Sequence, residues 1–184
     1  MAQKDEKATD LELIDAVAGG DWGAFDVLYH RYKDWTFRLA WRFAGNQTDA
    51  HDVVQEVFVY LAGKLRTGLV LKAGLTTLLY PAVKHTALAI KRKRSRQKEM
   101  IEGTDVPAGD PGPDPAALRA ELSQVMASLS DAHREVLLMR FVDDMTLEEI
   151  GVALGVPVGT VKSRLHHAIA GLKEDGRLRR YFEK

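Results

Sequence analysis

The chain has 184 residues, 46% of them hydrophobic and 28% charged, with Lys plus Arg and Asp plus Glu both at 26. That length and apolar share exclude a wholly disordered chain and leave little room for a large catalytic α/β scaffold. There is no cysteine, so disulfides, thiolate zinc sites and thiol nucleophiles are excluded together.

Zero net charge hides an uneven distribution. Residues 1–98 hold 16 basic and 11 acidic side chains, whereas residues 99–184 hold 10 and 15. Within the second half, Glu99–Glu149 is acidic and Pro157–Lys184 is basic again. Two basic blocks around an acidic stretch predict two anion-binding surfaces. The polar start lacks the apolar core of a signal peptide, and no run reaches the roughly 18 apolar residues of a membrane span. A cytoplasmic protein without membrane insertion is expected.

Apolar residues recur at three- and four-residue spacing almost throughout, which predicts an all-α chain. Asp10–Ala18 is a first short helix, stopped by Gly19-Gly20. Trp22–Ala44 follows and ends at Gly45-Asn46. Its rings Tyr29, Trp35, Phe37 and Trp41, at helical spacing, are expected in the core. Thr48 is the expected cap of the next helix, in which Val53, Val54, Val57, Phe58 and Leu61 make one face. Within it Asp49, Asp52 and Glu56 fall on the opposite face. Lys64–Gly74, with two glycines and no period, is expected as a loop. A further helix turns Leu78, Leu79, Ala82, Val83, Thr86, Ala87 and Ile90 inward. Its exit is cationic: Lys84–Lys98 carries seven cations and no acid.

Gln97–Ala116 holds four of the six prolines and reads as a linker. Ala117–Leu129 is expected to be helical, and Ser130 to cap another helix reaching about Val142. Thr146-Leu147-Glu148-Glu149 is a capping box. The helix it opens stops at Gly155, and a second begins near Val158–Thr160. Val161, Leu165, Ala168 and Leu172 make a stripe facing Ile150, Leu154 and Val156, with the small Gly151 where the helices cross. This describes a helix-turn-helix. Thr160, Lys162, Ser163, Arg164, His166 and His167 remain outside, with no carboxylate until Glu174. Phosphates repel acids, and base edges accept from such donors.

Ser128–Phe141, Met145–Gly151 and especially Gly159-Thr-Val-Lys-Ser-Arg-Leu165 resemble region 4 of the extracytoplasmic-function sigma factors of bacterial RNA polymerase. Independently, Asp49-Ala-His-Asp-Val-Val-Gln-Glu-Val-Phe58 resembles their region 2.2, and Trp22–Tyr32 their region 2.1. The resemblance implies two helical domains, region 2 over residues 10–96 and region 4 over 117–176, joined by a flexible linker over 97–116.

It also implies function. Region 2 binds core polymerase at the β′ clamp coiled coil, which places Asp49, Asp52, Gln55 and Glu56 on that surface, while region 4 meets the β flap. Region 2 reads and melts the −10 element of promoter DNA, for which the positions are Lys84, His85, Lys91, Arg92, Arg94 and Arg96. Region 4 reads the −35 element through Thr160, Lys162, Ser163, Arg164 and His167. An anti-sigma factor is an implied partner; catalytic residues, metals and cofactors are not implied. The loop Arg66–Thr76 would capture an extruded base, assisted by Tyr80 and His85. The sequence departs from the family at Leu78, Pro81, His85 and Ala89, and at Pro157, where the family often has Ser. Pro81 implies either a later helix start or a kink.

Two other readings are weaker. A core-independent helix-turn-helix regulator would need a sensor or dimerisation domain where the Asp-x-x-Asp-x-x-Gln-Glu pattern stands. An enzyme would need a phosphate-binding loop, a His-Glu-x-x-His motif or a nucleophile elbow, and the chain has none.

Overall fold

The computed structural model describes residues 8–71, 73–101 (side chains as far as 96) and 126–174, and every described element is a helix. The chain divides into two compact units, residues 1–109 and 110–184. The first contains α1 (Asp10–Ala18), α2 (Trp22–Ala44), α3 (Gln47–Arg66) and α4 (Thr76–Ile101); the second contains α5 (Asp131–Phe141), α6 (Leu147–Leu154) and α7 (Val158–Glu174). Most of the proline-rich segment and most of the helix expected over Ala117–Leu129 lie outside the described residues.

In the first unit α2, α3 and α4 pack mutually and α1 lies on α2. Thr9 opens α1 with a capping box, accepting from the Glu12 N–H at 3.3 Å while its own N–H donates to the Glu12 carboxylate at 2.7 Å. Those hydrogen bonds favour the ionised form and lower the Glu12 pKa below its usual value. Arg31 of α2 donates to Asp10 at 2.6 Å and to the Ala8 carbonyl at 2.8 Å, fastening α1 down. Gly45 ends α2 at φ 81°, a left-handed conformation that suits glycine, and its N–H bonds the Trp41 carbonyl at 2.8 Å.

The core is aliphatic. Leu28, Leu39, Val53, Val57, Leu61, Leu65, Leu79 and Val83 are all at most 1% exposed, each contributing roughly 1.5–3 kcal/mol by burial. The rings expected inside do not make that core. Tyr29 and Trp41 are exposed, and Trp35 and Phe37 half-buried. Ala24, Leu28, Thr36, Leu39, Ala40 and Ala44 take the buried positions of α2, which leaves none of them to a ring. The rings pair at the rim instead, Tyr29 with Phe58 at 4.8 Å and Phe37 with His51 at 4.7 Å between centroids.

Three local expectations are corrected. Asn46, not Thr48, caps α3: it follows the left-handed Gly45, has extended backbone, and its side chain accepts from the Asp49 N–H at 2.9 Å. Helix α3 continues through Lys64 to Arg66, because Leu61 and Leu65 extend its buried stripe. Helix α4 starts at Thr76 and runs through Pro81 to Ile101, past the expected linker start at residue 97. Pro81 supplies no N–H to the Thr77 carbonyl, one turn earlier.

The second unit is built around a tripod of short helices. Ser130 caps α5 as expected, accepting from the His133 N–H at 3.3 Å. Arg134 reaches back to the last carbonyls of the preceding helical residues, bonding Met126 at 2.7 Å, Leu129 at 2.9 Å and Ala127 at 3.2 Å. The Met126 carbonyl also accepts from the Leu129 N–H at 3.3 Å, and a guanidinium with several donors suits carbonyls at the end of a helix. Arg140 donates to the Met145 carbonyl at 3.0 Å and shapes the entry to α6.

Candidate nucleic-acid interface

The helix-turn-helix forms as the pattern demands. Thr146 accepts from the Glu149 N–H at 3.2 Å and its own N–H donates to the Glu149 carboxylate at 2.8 Å. Gly155 closes α6 at φ 66°, and the Val156 N–H donates to the Gly151 carbonyl at 2.9 Å. Pro157 then serves α7, its carbonyl accepting from Thr160 and Val161. Val161 and Ala168 are fully buried, while Leu165 and Leu172, like Met126, are half-buried against the cluster of Leu129, Leu137 and Ala168.

The outer face of α7 is therefore fixed by its inner one. Lys162, Ser163, His166 and His167 are exposed, and Thr160 and Arg164 half-buried. No carboxylate interrupts the face before Glu174, so it suits the major groove of a duplex, where phosphates flank the base edges. His167 lies against His133 of α5, with ring centroids 5.8 Å apart and planes inclined by 23°.

In the first unit, the cations of α4 split between two faces. Lys91, Arg92 and Arg96 line one groove with Leu88 and Ser95. Lys93 and Arg94 instead face α3, where they line a second groove with Asp49, Asp52, Gln55, Glu56 and Ile90. Arg94 donates to the Asp49 carboxylate at 3.1 Å. The four residues of α3 thus come together, but unequally: Asp52, Gln55 and Glu56 are exposed, whereas Asp49 is buried. Lys84 leans toward the Phe43 ring, 6.0 Å from its centroid, and His85 is exposed beside Tyr60, Leu78, Pro81 and Ala82 in a third, more apolar groove.

Tyr80 is corrected. It is 1% exposed, packed against Phe43, and cannot stack on an extruded base. Leu79, Val83 and Ala87 recur every fourth residue from a buried start, and Tyr80 shares that face. Sequence reasoning also missed the exposed apolar edge of the second unit, Phe141 at 60% and Val142 at 53% exposure. Its signal was present, since both stand at the end of a helix whose stripe is already complete with Val136, Leu137 and Met139.

The family models for Sigma-70 region 2 and Sigma-70 region 4 match residues 28–97 and 125–174. The ECF RNA polymerase sigma factor SigW of Bacillus subtilis is 31% identical over 88% of this chain and 93% of its own length. The ECF sigma factor SigE of Mycolicibacterium smegmatis is 32% identical over 92% of this chain and 68% of its own. The sigma factor RpoE of Bartonella quintana, solved with the anti-sigma factor NepR, has the same fold: TM-score 0.59 at 19% identity, over 82% of this chain and 94% of that one. A helix-turn-helix unit and an acidic and basic helical unit, matched in order by both region models and by full-length relatives, place the chain in the extracytoplasmic-function sigma factors of bacterial RNA polymerase.

Proposed function

We propose that this sigma factor acts without enzymatic activity of its own, as the promoter-reading subunit of a holoenzyme, with region 2 over residues 10–96, a linker over 97–116 and region 4 over 117–176. The acid-free outer face of α7 carries this reading. Thr160, Lys162, Ser163, Arg164 and His167 supply donors and cations for the −35 major groove. Lys84, Lys91, Arg92 and Arg96 supply phosphate contacts for the −10 element, giving affinity and salt dependence more than sequence choice.

Asp52, Gln55 and Glu56 are the exposed polar face for the β′ clamp coiled coil. The apolar edge of Phe141 and Val142 suits the β flap, because exposed patches of this kind mark partner surfaces. Melting requires a base held out of the stack, at a cost of a few kcal/mol. With Tyr80 buried, capture falls to the loop between Arg66 and Thr76 and to the exposed His85. An anti-sigma factor that covers Asp52 and Glu56 would compete with polymerase, and a cytoplasmic location follows from a polymerase partner. Among the described residues no helix is long and apolar enough to cross a membrane.

The experiment is co-elution of the purified chain with core polymerase, followed by footprinting of the complex on promoter DNA. Protection at both −10 and −35, dependent on core, supports the reading. Equal protection by the chain alone would favour a core-independent regulator.

A further inference from the structure

Arg94 stands in the longest cationic run of the chain, yet with Lys93 it faces α3, away from the groove lined by Lys91, Arg92 and Arg96. It follows Ala87 by seven residues and Val83 by eleven, both buried, so it lies on the α3-facing side of α4, although its own side chain is 56% exposed. Its guanidinium meets Asp49 at 3.1 Å, with the Asp49 side chain only 12% exposed. The same carboxylate oxygen accepts from the Asn46 side-chain amide at 2.7 Å, and the Asn46 oxygen accepts from the Asp49 N–H at 2.9 Å. The cap of α3, its first turn and the exit of α4 are thus one hydrogen-bonded unit.

Nothing else among the described side chains ties down that exit. Residues 91–96 are all exposed, and of these side chains only Arg94 has a bonded partner. Like charges four residues apart, such as Arg92 and Arg96, destabilise a helix end, and the pairing of Arg94 with Asp49 offsets that repulsion.

We propose that Arg94 is a positioning residue and not a DNA contact: closed on Asp49, it fixes the exit of α4 along α3. This holds Lys91, Arg92 and Arg96 toward the −10 strand and leaves Asp52, Gln55 and Glu56 open to polymerase. Asp49 takes the same role, as the partner of Arg94 and not of the clamp. The proposal rests on the region 2 reading given above.

The experiment measures the affinity of holoenzyme, assembled at saturating core, for a single-stranded −10 oligonucleotide across a salt series. The variants are Arg94→Gln, Asp49→Asn, the double variant, and Lys91→Gln as a phosphate-contact standard. A cation that neutralises one phosphate of a single strand contributes about 0.7 to the log–log salt slope. Lys91→Gln is expected to flatten the slope by that amount. Arg94→Gln and Asp49→Asn are each expected to weaken binding about threefold at every salt concentration with the slope unchanged, the double variant being no weaker than either. A structural role in folding alone would leave the affinity of the folded holoenzyme unaltered. The proposal is overturned if Arg94→Gln flattens the slope as Lys91→Gln does, or if either single variant binds as wild type. A wild-type chain that forms no holoenzyme would instead strike the region 2 reading itself.

Discussion

Gly151 and Val156 close the turn of the helix-turn-helix by touching backbone to backbone. The Val156 N–H donates to the Gly151 carbonyl at 2.9 Å, and a Cβ built on Gly151 would stand 3.0 Å from the Val156 carbonyl oxygen and 3.5 Å from a Val158 methyl. The nearest of these atoms is main chain, which yields less readily than the end of a side chain. Gly151→Ala should therefore press α6 and α7 apart by a few tenths of an ångström, at a net cost of about 1 kcal/mol once the roughly 1 kcal/mol that alanine gains over glycine in a helix is set against the strain. Thermal unfolding followed by circular dichroism checks this; an unchanged melting temperature would show that the turn yields freely.

Thr36 offers the opposite effect. It is fully buried in α2, and its hydroxyl oxygen has no hydrogen-bond partner. An unpaired buried polar group costs about 1–3 kcal/mol, and valine has nearly the same shape. Thr36→Val should raise the stability of the first unit, measured as a higher urea midpoint. A lower midpoint would mean that the hydroxyl is satisfied in solution.

Arg164 sits half-buried on the outer face of α7, one residue before the inward Leu165. Arg164→Ala should weaken binding to a −35 duplex by about 1–3 kcal/mol if the side chain reaches a base edge, with discrimination relaxed at that base pair. Fluorescence anisotropy against matched and mismatched duplexes measures both. Uniform weakening across all sequences would reassign it to a phosphate.

Asp52 and Glu56 are exposed on one groove of α3 with Gln55. Reversing both charges to Lys should abolish association with core polymerase while circular dichroism stays unchanged, because neither side chain lies in the core. Co-sedimentation with core checks it, and wild-type association would remove the pair from the polymerase surface.

The caps and turns of the second unit were legible in the sequence because each is a local contract between neighbours, whereas in the first unit the cap of α3 fell on Asn46 and not Thr48. Thr146 with Glu149, and glycine at 45 and 155, need only a few residues to define them. The sites were harder to read where a decision depends on a partner far along the chain. Spacing put Asp49 on a polar face and Arg94 in a basic run, but their contact spans 45 residues. The aromatic stripe of α2 misled for a related reason. Periodicity offers a long helix more than one apolar face, and the face that packs inward carries Ala24, Leu28, Leu39, Ala40 and Ala44 instead of the rings. Val83, Ala87 and Arg94 nonetheless share one side of the helical wheel, so the approach of Arg94 to α3 follows from its spacing.

The central claim is tested most directly by run-off transcription with purified core polymerase over a library of promoter templates. The account predicts initiation from a subset of templates sharing −35 and −10 elements at one spacing, only when this chain is added, and lost with Asp52→Lys/Glu56→Lys. Transcription that is no more selective with the chain than with core alone would contradict it.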